Sequence, residues 1–388
     1  MKKQIVLKKN EEKRLISGHQ WIFSNEIEKI HGTPEVGDVV ELLRNDGAFL
    51  GIGFYNPHSL IAFRLLTRMQ EEIDADFFLH RIEQANQLRE RIYPQATTYR
   101  MVHSESDFLP GLIIDRYNEY CALQISSAGM ERATPLICSA LETLFHPKAI
   151  VARNDANTRS LENLPQENKI LLGTPGETIY NEENIHFAID ILKGQKTGFF
   201  LDQRENRKAL RRYVAKKSVL DCFCNDGGFG LHAAAAGASE ALGIDISEAT
   251  IERAKVNVRL NSLNVNFIVA DVFDYLKELL RSQKKFNVIV LDPPSFTKNK
   301  RTVATALHGY KQLHTLALQL LTDDGILATA CCSHHISEEA FLSTAQIASL
   351  KVGRSVRLLE LHGAAPDHPV LPAMPETRYL KFAIFAVQ

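Results

Sequence analysis

Val219-Leu220-Asp221-Cys222-Phe223-Cys224-Asn225-Asp226-Gly227-Gly228-Phe229-Gly230 runs straight into Leu231-His232-Ala233-Ala234-Ala235-Ala236. An apolar tripeptide ends in an acid, a loop with three glycines follows, and an alanine-rich helix begins. Open α/β sheets build nucleotide pockets this way, because glycine lets the backbone approach a ligand and the helix N-terminus offers unpaired N–H groups. The spacing is not the G-x-G-x-x-G of dinucleotide folds. A carboxylate at the strand end would repel a diphosphate, whereas it suits an ammonium or a ribose hydroxyl. The stretch therefore points to S-adenosylmethionine, against the plainer reading of an ordinary strand-to-helix turn.

Downstream of this loop, strands and helices alternate. Strand 219–221 leads to helix 229–236, 241–245 to 248–260, 266–270 to 272–281, 287–291 to 304–321, and 325–330 to 337–347. This predicts an α/β, Rossmann-like doubly wound sheet with its ligand across the carboxyl ends of the strands. Arg378 to Phe385 is expected to close the sheet as an antiparallel strand. Asp221, Asp245 and Asp271 end successive strands, 24 and 26 residues apart. A single acid after a strand is usually a helix cap. Three in series assign Asp245 to the ribose hydroxyls and Asp271 to the adenine amino group. Phe223, Gly227 and Gly228 in the loop, and Ile246 and Val272 beside the acids, complete this cofactor set.

Asp292-Pro293-Pro294-Ser295-Phe296 closes the fourth strand. Two prolines remove N–H donors and stiffen the backbone, which leaves carbonyls fixed towards a pocket. The motif suits methyl transfer but does not separate an exocyclic amine from a ring carbon as acceptor. That separation rests on Cys331-Cys332-Ser333-His334-His335 at the next strand end. Carbon 5 of a pyrimidine becomes nucleophilic once a thiolate adds to carbon 6. A cysteine at this place is suited to that addition, although a buried strand-end cysteine is the plainer alternative. His334 and His335 read as surface or capping residues, since two adjacent histidines lack converging metal-ligand partners.

The first 70 residues read as short strands and turns, and Gly18-His19-Gln20-Trp21-Ile22-Phe23 resembles part of a PUA domain, a small RNA-binding barrel. Trp21 is the only tryptophan and is expected to pack in the core. Residues 73–185 read as a middle α+β domain of strand-strand-helix-strand-strand type, with a hairpin turning at Asn118-Glu119. The third domain is 186–388.

The 388 residues carry a formal net charge of −1 with 45% apolar residues, a soluble globular composition. No apolar run is long enough for a membrane span, and no signal-peptide core follows Met1. The six cysteines include no Cys-x-x-Cys pair, so neither a zinc ribbon nor a disulfide framework is indicated, and a cytoplasmic location without membrane or metal fits. Residues 193–217 hold nine basic residues against Asp202 and Glu205, a density that suits phosphates if it is not simply a solvated helix face. Arg207 and Arg211 there, with Lys298, Lys300 and Arg301 after the Asp-Pro-Pro motif, are the expected RNA contacts. A homodimer is compatible with the sequence.

Gln195-Lys196-Thr197-Gly198-Phe199-Phe200-Leu201-Asp202-Gln203-Arg204, Asp292-Pro293-Pro294-Ser295-Phe296, Cys331-Cys332-Ser333 and Asp367-His368-Pro369 together resemble the RlmI-like family of class I methyltransferases. That family makes 5-methylcytosine in large-subunit (23S) ribosomal RNA, and the likeness spans essentially the whole chain. It implies S-adenosylmethionine as cofactor, with Lys196, Thr197, Phe199, Asp202 and Arg204 lining its site. It further implies Asp221, Asp245, Asp271 and Asp292 as cofactor or active-site acids, and Cys332 as nucleophile. The chain departs from the family at Cys224-Asn225-Asp226, where Ser-Tyr-Thr is frequent, and carries Ser295 where other RNA cytosine methyltransferases have a second cysteine. An RNA guanine N-methyltransferase and a non-catalytic ribosome-assembly module are the rival readings.

Overall fold

The computed structural model describes residues 2–195, 197–297 and 299–388. Lys196 and Lys298 lie outside the described residues, as does the side chain of Lys300. By its internal contacts the chain divides into two compact units, the first of 1–180, 189–201 and 366–377, the second of 181–188, 202–365 and 378–388.

The second unit is built on a seven-stranded sheet. Across it run Asn266–Val269, Glu240–Asp245, Ser218–Cys222, Phe286–Leu291, Leu321–Cys331, Lys381–Val387 and Val356–His362. All run parallel except Lys381–Val387, which is antiparallel to both of its neighbours. The chain moves outward in one direction from Ser218–Cys222 and then returns to its other side at Phe286–Leu291. That reversal opens a crevice at the carboxyl ends of these two strands, the usual ligand position in such sheets. Asp221 and Asp292 sit at its two lips.

Five helices of the second unit, Gly228–Ala235, Glu248–Asn261, Val272–Arg281, Val303–Leu320 and Glu338–Lys351, match the expected ones to within a few residues. Ser247, Asp271 and Ser337 cap three of them by accepting from the N–H three residues on. The central strands are apolar on both faces because each face is covered. Leu220, Ile289 and Leu327 fill one core, while Val219, Val288 and Ala328 fill the other. The expected antiparallel closing strand is present, pairing Ala328 with Ile384. Val356–His362 was not anticipated from its sequence. Its two adjacent leucines, Leu358 and Leu359, break alternation, and the ladder is irregular at that point.

The first unit holds a six-stranded sheet formed within residues 4–67 and a five-stranded sheet within 98–173. The hairpin Leu112–Tyr117 and Tyr120–Ile125 turns at Asn118, whose φ of 55° is left-handed. Thr98–His103 adds an edge strand that the strand-strand-helix-strand-strand expectation lacked. Its polar residues hid it, because Arg100 is buried by pairing with Asp115 through two 2.8 Å bonds. Trp21 is half-buried, and its indole Nε1 donates to Glu105 Oε1 at 2.8 Å.

Candidate active site

The loop 222–228 leaves the Ser218–Cys222 strand with left-handed backbone at Phe223 (φ 62°), Asn225 (φ 48°) and Gly227 (φ 84°). For a side chain as bulky as Phe223 this conformation is strained, and such strain persists only where the surroundings enforce it. Several bonds do so here. Asp245 accepts from the Asn225 N–H at 3.0 Å and from the Ser247 N–H at 2.9 Å. Asn257 donates to the Asp226 carbonyl at 3.0 Å, and Arg253 Nε donates to the Asp226 carboxylate at 2.9 Å. Asp226, the acid that departs from the family pattern, is therefore a buried brace to the 248–261 helix. Burial raises its pKa to about 6 despite Arg253.

Asp221 is fully buried, and its Oδ2 accepts from Gly230 N–H at 2.8 Å, tying the strand end to the helix N-terminus. Its Oδ1 has no hydrogen-bond partner among the described residues. Burial, with the charges of Asp292 and Asp245 adding to it, pushes this carboxyl up to about 8. A buried carboxylate oxygen without a donor is costly by itself and is satisfied by a cation or an N–H group brought into the crevice. The glycines leave no room for side chains. A Cβ on Gly227 would lie 2.5 Å from the Phe267 ring, and one on Gly228 would lie 3.0 Å from Arg207 Cδ.

Asp292 follows the Phe286–Leu291 strand, and its carboxylate accepts from Gln203 Nε2 at 3.0 Å. Asn206 orients that amide by donating to Gln203 Oε1 at 2.6 Å. Sequence alone assigns Gln203 no role within its motif, because an amide has no charge signature. Of its neighbours, Asp202 accepts from the Tyr379 hydroxyl at 2.7 Å, and buried Arg204 lies 3.9 Å from Glu182.

Several of the expected site residues have structural partners. Arg207 is not a solvated phosphate contact. It is buried 2% exposed, forked onto Glu182 at 2.6 and 2.7 Å, and it supports the glycine loop from below. Asp271 spends Oδ1 on capping the next helix, accepting from Asp274 N–H at 3.1 Å, and Val272 is a core residue. Within the first unit, Thr197 donates its hydroxyl to buried Asp115, and Phe199 is buried with its N–H donated to the Tyr117 hydroxyl at 2.9 Å. Ile246 and Arg301 are exposed, and Arg211 is half-buried with its guanidinium 3.4 Å from the Glu183 carbonyl.

The cysteines separate cleanly. Cys222 and Cys224 are buried, and burial raises both thiols far above the ordinary range, so neither is a nucleophile. Cys331 and Cys332 alternate across the sheet. Cys331 is fully buried in the core beneath Tyr310, whereas half-buried Cys332 has Sγ 4.0 Å from the Pro293 carbonyl. Adjacency of the Phe286–Leu291 and Leu321–Cys331 strands, in register at Leu291 and Thr329, brings this thiol to the Asp-Pro-Pro segment. Phe296 packs against Tyr310 with ring centroids 4.9 Å apart, and Ser295 donates its hydroxyl to the Thr297 carbonyl at 2.7 Å.

An orphaned buried carboxylate oxygen, a glycine-containing loop and a second acid at Asp245 fit the ammonium and ribose of S-adenosylmethionine. The family comparisons agree with that fit. Residues 164–377 match the model of S-adenosylmethionine-dependent methyltransferases, and residues 5–68 match a PUA-like domain. Two relatives called "Ribosomal RNA large subunit methyltransferase I" are 41% identical in Tolumonas auensis and 42% in Aeromonas salmonicida, with 98% and 97% of both chains covered. The chain belongs to the ribosomal RNA large subunit methyltransferase I family. Two solved structures share the fold over 100% of both chains at 21% identity. They are SMU.776 complexed with SAH (TM-score 0.86) and a structure from Streptococcus mutans assigned to the S-adenosylmethionine-dependent methyltransferases (0.84). This member of the large subunit methyltransferase I family is thus an S-adenosylmethionine-dependent enzyme with a PUA-like N-terminal segment. Among the described residues, no cluster of three or more His, Cys, Asp or Glu could hold a metal, and no helix is long and apolar enough to cross a membrane.

Proposed function

We propose that this enzyme methylates carbon 5 of a cytosine in large-subunit ribosomal RNA, with Cys332 as nucleophile. The half-buried Cys332 thiol beside the Pro293 carbonyl is the observation that carries the reading. Bound S-adenosylmethionine supplies an electrophilic methyl group on a sulfonium. The residues of the chain prepare its acceptor. Cys332, as thiolate, adds to carbon 6 of the cytosine, and the ring electrons move to carbon 5, which takes the methyl. Loss of the carbon-5 proton and expulsion of the thiolate then restore the aromatic ring and the free enzyme. Asp292, steadied by Gln203, is placed to hold the base at N3 or its amino group. Asp221, Asp245 and the glycine loop hold the cofactor.

In this reading residues 1–70 form the RNA-reading barrel, 73–185 the middle domain and 186–388 the methyltransferase domain. The substrate class comes from the relatives' names, and exposed Arg301, shortly after the Asp-Pro-Pro segment, is open to an RNA phosphate. Free thiols at all six cysteines fit a reducing cytoplasm.

Cys332→Ala should abolish methyl transfer while leaving S-adenosylmethionine affinity within about twofold, whereas Cys331→Ala should keep activity. Digestion of the methylated RNA should yield 5-methylcytidine. Recovery of N-methylguanosine, or full activity in Cys332→Ala, overturns the proposal.

A further inference from the structure

A cavity of about 810 Å³ opens in the first unit, where Gln20, the end of the Phe63–Thr67 strand, the Ala75–Ile92 helix and Leu371 meet. No residue assigned to the cofactor or to catalysis lines it. Its walls are mostly apolar, but two features are not those of an ordinary core gap. The first is Phe108, which lines the cavity and is 45% exposed. Its φ of 59° is left-handed, a strained conformation for a bulky residue that persists only where the surroundings enforce it. Here fully buried Arg89 forks onto Asp107 with two bonds of 2.6 Å, and Gln20 Nε2 donates to the Glu105 carbonyl at 2.8 Å. The turn is thus held from behind, and the ring is a fixed surface. The second feature is the guanidinium beside it. Arg81 Cζ lies 5.7 Å from the Phe108 ring centroid and 5.3 Å from that of Phe77. Among the described residues it donates to the Leu66 carbonyl at 3.3 Å and has no carboxylate within ion-pair distance. Most of its five N–H donors therefore remain for a ligand. Burial lowers its pKa and Glu71 opposes that shift, yet an arginine stays charged at neutral pH.

We propose that this cavity is a subsite for one unpaired nucleotide of single-stranded RNA, with the base on the Phe108 ring and a phosphate on the Arg81 guanidinium. This rests on RNA being the substrate. Both residues lie beyond 5–68, the PUA-like match, so the contact is additional to any made by that segment. Single strands are held by aromatic faces for the bases and cations for the backbone. A guanidinium with free N–H edges matches two phosphate oxygens. A base paired within a duplex is stacked on both faces and cannot lie on Phe108, so the subsite selects unpaired RNA. The volume is that of small-molecule sites and admits a base with its ribose. Charge decides against other occupants. Arg68 and Arg81 line the cavity against Glu71, which already accepts the Thr67 hydroxyl. An apolar partner, whether a hydrophobic peptide or a second copy of this chain, would cover Arg81 and leave a desolvated charge uncompensated.

The test measures binding of a fluorescein-labelled single-stranded RNA of about ten nucleotides, a usual length for single-strand sites, to the full-length enzyme. Phe108→Leu should weaken it roughly 5- to 100-fold, the range of one base–aromatic stack, and Phe108→Tyr should restore it to within about twofold. Arg81→Met should also weaken it and should lower the slope of log affinity against log salt by about 0.7, the share of one single-strand phosphate. Phe108→Leu should leave that slope unchanged. The same RNA annealed to its complement should bind the parent and Phe108→Leu alike, and S-adenosylmethionine affinity should be the same in every variant. Equal single-strand affinity in the parent and in folded Phe108→Leu and Arg81→Met overturns the inference. So does a parent dimer that Phe108→Leu dissociates without loss of RNA affinity. If a variant does not fold, the same RNA carrying 5-bromouridine is irradiated on the parent. A cross-link on the peptide holding Phe108 supports the subsite, and cross-links confined to other peptides overturn it. A parent that methylates ribosomal RNA but ignores the single strand removes the subsite alone, whereas one that binds neither removes the substrate reading as well, so the two failures are distinguishable.

Discussion

Asp221→Asn separates the two sides of the acid on which the glycine loop is built. The asparagine carbonyl can still accept from Gly230 N–H, which preserves the brace between strand and helix. Only the orphaned oxygen changes, from a carboxylate atom without a partner to an amide nitrogen. The raised carboxyl, at about 8, fixes the sign of the effect. Its contribution to stability is fully present below the unfolded value of about 3.9 and is lost as pH rises through about 8. Between pH 6.5 and 8 this loss comes to roughly 1.5 to 2 kcal/mol, since each unit of pH between the two pKa values costs about 1.4 kcal/mol. The window lies above Asp226, whose pKa of about 6 makes its own contribution nearly constant there. For a unit of this size the difference is roughly 3–7 °C in unfolding midpoint. Thermal unfolding at both pH values, without cofactor, should show that fall in the parent enzyme and not in Asp221→Asn. Calorimetry with S-adenosylmethionine should show the variant binding about 10- to 100-fold more weakly, the value of a charge-assisted hydrogen bond. An Asp221→Asn enzyme with the parent's pH dependence and cofactor affinity would refute this account of the loop.

Two further substitutions probe the frame beneath the loop. Arg207→Met should destabilise the second unit by about 3–5 kcal/mol, because Glu182 is left buried without its guanidinium; Glu182→Gln added to it should recover part of the loss in thermal unfolding. Gly227→Ala places an alanine at φ 84° with its Cβ 2.5 Å from the Phe267 ring. The backbone term alone is about 1–2 kcal/mol, and Phe267→Leu in the same chain should relieve only the steric share. Unchanged melting and cofactor titration in Gly227→Ala would remove the close-approach argument.

The legible part of the protein was the part governed by local pattern. Alternating strands and helices after residue 218 are short-range features of the chain, and their limits agree with the structure to within a few residues. Thr98–His103 and Val356–His362 escaped because their burial depends on partners far along the chain. Arg100 looks like a surface residue until Asp115 is beside it, and Leu358-Leu359 look unlike a strand until the closing strand supplies the ladder. Basic charge misled in a similar way. Arg207 counted towards a phosphate-binding face, yet it is locked to Glu182, 25 residues away.

The sequence by itself determined that a glycine loop with an acid at its strand end is the candidate cofactor site, and that an Asp-Pro-Pro strand and a cysteine strand accompany it. Those are properties of residue type and spacing. Tertiary structure alone decided which thiol meets the crevice, because side chains alternate across a strand and only Cys332 faces the Pro293 carbonyl while Cys331 enters the core. It also decided what surrounds the reactive atoms. Gln203 beneath Asp292 and Arg207 beneath the loop are brought in by strand pairing and helix packing. Contacts of that kind are long-range and leave no mark on a neighbouring residue.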